Sequence, residues 1–350
     1  MCIRDSGVSD EAIILPLSNA LLLQGKFSDI ISETQPLDSM TPENRARVHS
    51  LRGNAFLGQG KFDDAANEFQ SAIALSGNLA EAQIGHARMA FILRKDEEAR
   101  NWINKAIEGT PESADAWSLL GDIEIREGNA ADAVTAFSNA IKFRKYASMD
   151  ITKRALARIR LEKYPVVKAD IETLEQGGFK DHPYVQYVKG RYYYSEAKYR
   201  EAAEAFQSSH TKNPSFLLAT FYLASTQYFL GNLEQARSLT KNLQASAPKS
   251  LPAKRLLGAI EIERSEFGAA KDLLQEALRK TPDDLVILQM LATSSLLEGD
   301  LEQSIEYIEQ ILSLEPESSQ AKEMLIMTKL VQGQALDENL VEGIGEASPE

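Results

Sequence analysis

The chain has 350 residues, 43% hydrophobic and 25% charged, the balance of a folded protein rather than a disordered one. Its net charge of −13, from 51 acids and 38 bases, argues against a general nucleic-acid binder. The lone cysteine, Cys2, excludes internal disulfides and multi-cysteine metal sites, and no apolar run reaches the roughly 18–20 residues of a membrane span.

The opening Met1-Cys2-Ile3-Arg4-Asp5-Ser6 is not a secretory signal, because no apolar stretch follows it. It reads like read-through at the start of a fragmentary gene, so residues 1–10 are expected to be a non-native or disordered leader. From Glu11 onward small residues recur at nearly fixed intervals: Gly53, Ala87, Gly121 and Ala157, then Gly190, Ala224, Gly258 and Ala292. A second small series trails each by twelve residues, as at Ala65, Ala99, Ala133 and Ala169, then Ala202, Ala236, Ala270 and Ser304. Pro214, Pro248, Pro282 and Pro316 keep a strict spacing of 34. The step from Gly121 to Ala157 is 36, so the unit near 148–181 is expected to be irregular.

Each unit predicts two antiparallel helices. In the clearest copy, apolar residues recur three and four apart around Trp117, Leu120 and Gly121, and again around Ala133, Phe137 and Ala140, with a break at Gly128-Asn129. The small residues at Gly121 and Ala133 let the two axes approach closely, and a proline after the second helix stops it. Between Lys142 and Lys168 nine bases face only Asp150 and Glu162, a local charge of +7. Gly177-Gly178 ends a helix. From Glu298 to Glu350 thirteen acids face Lys322 and Lys329, and residues 344–350 are expected to form a disordered acidic tail.

Trp117, Leu120, Gly121, Ala133, Phe137 and Ala140, with Pro282 and Pro316, resemble the tetratricopeptide repeat. Departures are Arg52 and His86 at a usual leucine position, Glu124 where tyrosine is common, and Lys145 in place of the proline. The resemblance implies an all-α fold: a right-handed superhelix, or α-solenoid, of about nine to ten helix-turn-helix repeats forming one domain over residues 11–343. The run Ala20-Leu21-Leu22-Leu23-Gln24-Gly25-Lys26-Phe27 and Gly190-Arg191-Tyr192-Tyr193-Tyr194 further resembles the long repeat lipoproteins of bacterial exosortase (PEP-CTERM) systems. That family carries a signal and a lipid-anchored cysteine and is encoded among exopolysaccharide genes. The resemblance therefore implies a fragment of a protein placed outside the cytoplasm, in the periplasm or at the outer membrane; cytoplasmic residence is the alternative.

The repeat resemblance also puts positions 2, 5, 9, 12 and 13 of each unit on a concave groove, which selects Arg154, Arg158, Tyr184, Tyr187, Arg191, Tyr194, Phe221, Tyr228 and Arg255 as partner-binding residues. Guanidinium groups grip carboxylates, and rigid rings offer contact area at small entropic cost. Arg158 is expected to face outward. The competing expectation is that several of the tyrosines simply pack between neighbouring first helices.

No motif points to a reaction. His49, His86, His182 and His210 lack metal-ligand spacing, and no H-E-x-x-H, G-x-S-x-G or phosphate-cradling glycine loop occurs. His86 falls on a packing position and is expected to be a satisfied core imidazole. The expectation is a non-catalytic scaffold without cofactor or metal, binding protein or peptide partners, anionic ones included, and no nucleic acid. A carbohydrate-binding solenoid that contacts exopolysaccharide directly is the alternative.

Overall fold

The computed structural model describes residues 10–334, and among these it is all-helical, with nineteen α-helices and no strand. The leader and the acidic tail expected at the two ends lie outside the described residues, apart from Asp10. The chain divides into two compact units, one up to Lys180 and one from Asp181.

The first unit holds α1 (Asp10–Leu23), α2 (Phe27–Glu33), α3 (Pro42–Gly58), α4 (Phe62–Leu75), α5 (Ala80–Ile92), α6 (Asp96–Gly109), α7 (Ala114–Glu127), α8 (Ala130–Phe143), α9 (Ser148–Arg160) and α10 (Tyr164–Leu174). A π-helical turn, Glu175–Phe179, follows, with Gly178 at φ 85° breaking the helix. The second unit holds α11 (Pro183–Ser195), α12 (Tyr199–Lys212), α13 (Leu217–Phe229), α14 (Leu233–Ser246), α15 (Leu251–Glu263), α16 (Phe267–Leu278), α17 (Leu285–Glu298), α18 (Leu301–Leu314) and α19 (Ser319–Val331). Within each unit an odd-numbered helix packs on the even-numbered one after it, and that helix packs on the next odd one. Consecutive odd-numbered helices also touch, which is the serial nesting of a solenoid.

Local chemistry sets the helix ends. Ser113, Ser250 and Ser318 cap α7, α15 and α19 by accepting the amide of the residue three along, and Asp284 and Asp300 do the same for α17 and α18. The turn inside a pair needs a left-handed residue, supplied by Gly25, Gly60, Gly128, Gly231 and Gly299. Four pairs lack glycine there. Arg94, Glu162, Ala197 and Ser265 take φ of 61°, 55°, 55° and 59° instead, a local strain that packing on both sides of the turn must offset.

Packing turns on aromatic rings seated against glycine. Phe69 on α4 is fully buried, and a Cβ on Gly53 of its own pair or on Gly85 of the next pair would lie 2.5 or 2.2 Å from its ring. Gly121 likewise faces the ring of Phe137, so the close approach read from Gly121 and Ala133 is filled by the phenylalanine one turn beyond Ala133. Gly258 meets Leu274 in the same way, at 2.7 Å.

The departures from the repeat pattern have physical causes. Arg52 is buried because its guanidinium donates to the carbonyls of Ile31 and Thr34 at 2.8 and 2.9 Å, closing the end of α2. It also donates to Glu68 at 2.8 Å, and His49 meets the other oxygen of that carboxylate at 2.7 Å. Burial pushes the Glu68 carboxyl up, but these hydrogen bonds outweigh it and hold it below the usual range. Glu124, buried in the place of a tyrosine, accepts from Arg100 at 2.6 Å and Asn129 at 3.0 Å.

His86 is a correction. It is buried at a packing position, but its ring stacks on Trp102 at 4.6 Å and its Nε2 meets no hydrogen-bonding group of the protein. Burial therefore pushes its pKa down, opposed in part by Glu98. The unfolded chain binds this proton more tightly than the folded one, so stability is full above about pH 6.5 and falls as pH drops toward the lowered folded value. Each unit of difference is worth about 1.4 kcal/mol. His86→Phe should flatten the dependence of the denaturation midpoint on pH between about 7 and 5. An unchanged slope would mean that the imidazole is hydrated in the folded state.

Candidate functional site

Stacking uses the flanks of each odd-numbered helix and leaves one face uncommitted. In the first unit this face is a groove of about 520 Å³ across α1, α3 and α5. Its apolar floor includes Leu15, Leu51 and Ile84, and its polar groups include Asn19, Ser50, Asn54 and Arg88. Arg88 donates to Asn54 Oδ1 at 3.0 Å, and Asn54 donates to the carbonyl of Ser50 at 3.0 Å, linking neighbouring first helices. Arg47, on the rim, bonds Glu43 at 2.8 Å. The selected residues omit this groove. A signal for it was present, because Asn54 and Arg88 each follow the small residue of their unit, as Arg158 and Arg191 do in theirs.

Arg154 and Arg158 lie in the same unit, on α9, but converge on one carboxylate. Asp170 of α10 is 2% exposed, and Arg154 and Arg158 each donate to it at 2.6 Å. Both guanidinium side chains are largely covered, so Arg158 does not face outward. Two more bases of the stretch are similarly partnered. Arg144 binds Asp115 at 2.5 Å and Asp150 at 3.0 Å, and Lys153 binds Asp122 at 2.6 Å. Asp170 and Asp122 fall outside the stretch in sequence, so its local charge overstated the field that reaches solvent.

In the second unit α11 and α13 bring a set of rings together. Tyr187 is 4% exposed and sits among Phe206, Phe216 and Tyr222, with centroids 6.0, 4.8 and 5.9 Å away. Tyr194 makes edge contacts with Tyr199, Tyr222, Phe206 and Phe229, and burial pushes its phenol up to about 12. These two tyrosines are packing residues in large part, as the competing expectation had it. Tyr184, Leu218 and Phe229 instead stand out from the face at 39%, 54% and 52% exposure. Phe221 packs at its edge against Tyr222, and Tyr228 against Phe229, with the Tyr228 phenol pushed up by burial and by Glu263.

Arg191 lies over the ring of Tyr222 at 4.2 Å and donates to the Tyr187 hydroxyl at 3.2 Å. Arg255, on α15, pairs with Asp284, the residue that caps α17. Tyr222, Phe216 and Tyr199 escaped the positional reading because they lie off the selected register or on a linker or a second helix. Among the described residues there is no cluster of three histidine, cysteine or acidic side chains arranged to hold a metal, and no helix is long and apolar enough to cross a membrane.

Models of the tetratricopeptide repeat match residues 50–114 and 104–148, and residues 193–260 and 261–333. Among curated proteins, the human protein O-mannosyl-transferase TMTC1 is 27% identical over 136 residues, 38% of this chain and 15% of the transferase. The mouse BBSome complex member BBS4 is 26% identical over 137 residues, 39% of this chain and 26% of its own length. The chain thus spans about a quarter or less of each. A solved tetratricopeptide repeat protein from Parabacteroides merdae superposes with a TM-score of 0.57 at 13% identity, covering 71% of this chain and 98% of the other, a likeness of fold.

Proposed function

Because the chain belongs to the tetratricopeptide-repeat proteins, we propose that it is a non-catalytic scaffold that holds protein or peptide partners on the uncommitted faces of its first helices. Repeats of this family generally serve protein interaction. The observation that carries the proposal here is the groove across α1, α3 and α5, where Asn54 and Arg88 present hydrogen-bonding groups over an apolar floor. The similarity of residues 20–27 and 190–194 to the exosortase-associated lipoproteins supports a setting outside the cytoplasm, in exopolysaccharide production or protein sorting.

The groove is tested by photo-crosslinking. Peptides selected from a random twelve-residue display library against the full chain should label the protein when p-benzoylphenylalanine replaces Arg47 on the groove rim. They should fail to do so when it replaces Asp132, exposed on the second helix α8. Equal labelling at both positions would remove this groove as the docking face, and no selectable peptide would remove the scaffold reading.

A further inference from the structure

We propose that Arg191, with Tyr184 and Phe229 joined to it through intervening rings, is a receptor for a carboxylate side chain flanked by an apolar one in a partner peptide. This rests on the scaffold reading and names the chemistry of one of its faces.

Four arginines were expected in the groove, and three are already matched to acids: Arg154 and Arg158 by Asp170, and Arg255 by Asp284. Arg191 differs. Its bonding within the chain is a phenol oxygen and a ring face, and no carboxylate among the described residues lies within ion-pair distance of it. A hydroxyl and a π face leave the positive charge uncompensated while holding the guanidinium plane in place.

The surroundings are as unusual. Neither α11 nor α13 contains an aspartate or glutamate, although the whole chain carries 51 acids. The acid nearest in sequence, Glu196 just past the end of α11, is bound by Lys198 at 2.6 Å. On α15, Glu261 is held by Arg237 at 2.7 Å. Two acid-free helices around an unmatched cation, with Glu263 of α15 engaged by the Tyr228 phenol, in a molecule of net charge −13, are complementary to a carboxylate that comes from elsewhere. The exposed apolar groups set the second requirement. Phe229 is joined to Arg191 through Tyr194 and Tyr222, and Tyr184 through Phe216 and Tyr187, so apolar contact is offered on both sides of the charge. Burying these rings beside the ion pair excludes water from it and strengthens it.

The test selects displayed random twelve-residue peptides against the full chain and against Arg191→Met, whose unbranched side chain still covers Tyr222. Peptides selected by the wild type should be rich in aspartate or glutamate next to leucine, phenylalanine or tryptophan. The best of them, synthesised, should bind Arg191→Met about tenfold or more weakly, with an unchanged denaturation midpoint. If Arg191→Met proves unstable, Phe229→Ser, at an exposed position, should give a comparable loss. Selected peptides without acids, or acidic ones that bind Arg191→Met equally well, would overturn the assignment. Peptides weakened by Arg88→Glu but indifferent to Arg191 would keep the scaffold and remove this site, and no selectable peptide would remove both. Retention of polygalacturonate by the wild type in place of any peptide would assign the face to an anionic polysaccharide instead.

Discussion

Asp170→Asn should destabilise the unit that ends at Lys180 by about 3 kcal/mol, read as a lower denaturant midpoint. The carboxylate is buried and is the shared acceptor for Arg154 and Arg158, at 2.6 Å each. Neutralising it leaves two guanidinium groups facing each other with no anion between them. They are each less than one-fifth exposed, so solvent offers only partial relief, and Arg154 Nε is already buried without a partner. Removing one member of such a buried set typically costs about 3–5 kcal/mol, and the partial exposure places this case at the low end. Arg158→Glu should be at least as harmful, because it sets a second carboxylate beside Asp170. The control is Glu172→Gln, an exposed residue 3.9 Å from Lys168, which should change stability by less than about 0.5 kcal/mol. A midpoint for Asp170→Asn within error of the wild type would mean that the arginines are not held as described.

Gly85→Leu should be comparably damaging, by about 3 kcal/mol or more. Its first side-chain carbon would fall 2.2 Å from Phe69, and the ring has little room to retreat, because it is seated so close to Gly53 on α3 that a Cβ there would itself fall 2.5 Å from it. The strain therefore passes to the α3–α5 contact. Even Gly85→Ala should lower the melting temperature. Adding Phe69→Leu should recover part of that loss, since the Gly258–Leu274 pair already combines glycine with a leucine. An unshifted melt for Gly85→Leu would show that the ring has room the structure does not give it.

The repeat, the alternation of first and second helices and the breaks between them were legible in the sequence, because each follows from local chemistry. Apolar spacing selects the buried stripe, a small residue marks a close approach, and Gly128 and Gly299 supply a left-handed turn. The roles of single polar side chains were much less legible. Arg52 looked like a lapse from the leucine pattern and closes the end of α2 instead. His86 was read correctly as a packing residue but not as one whose Nε2 is unbonded. The register of the first helices put Tyr184 on an exposed face, yet the same register selected Tyr187 and Tyr194, which are largely packed among other rings.

The sequence by itself determined that short helices pair and nest, since burying an amphipathic stripe needs only a neighbour of the same kind. Which charges remain available to a partner was decided by the tertiary structure alone. Arg158 and Arg191 each follow a small residue at the same place in their units, and nothing local separates them. The difference is what the neighbouring helix brings: α10 supplies Asp170 to the first, and α13 supplies the Tyr222 ring to the second. Coulomb attraction acts through space, so a cation's availability depends on the element folded against it, which no count along the chain can reveal.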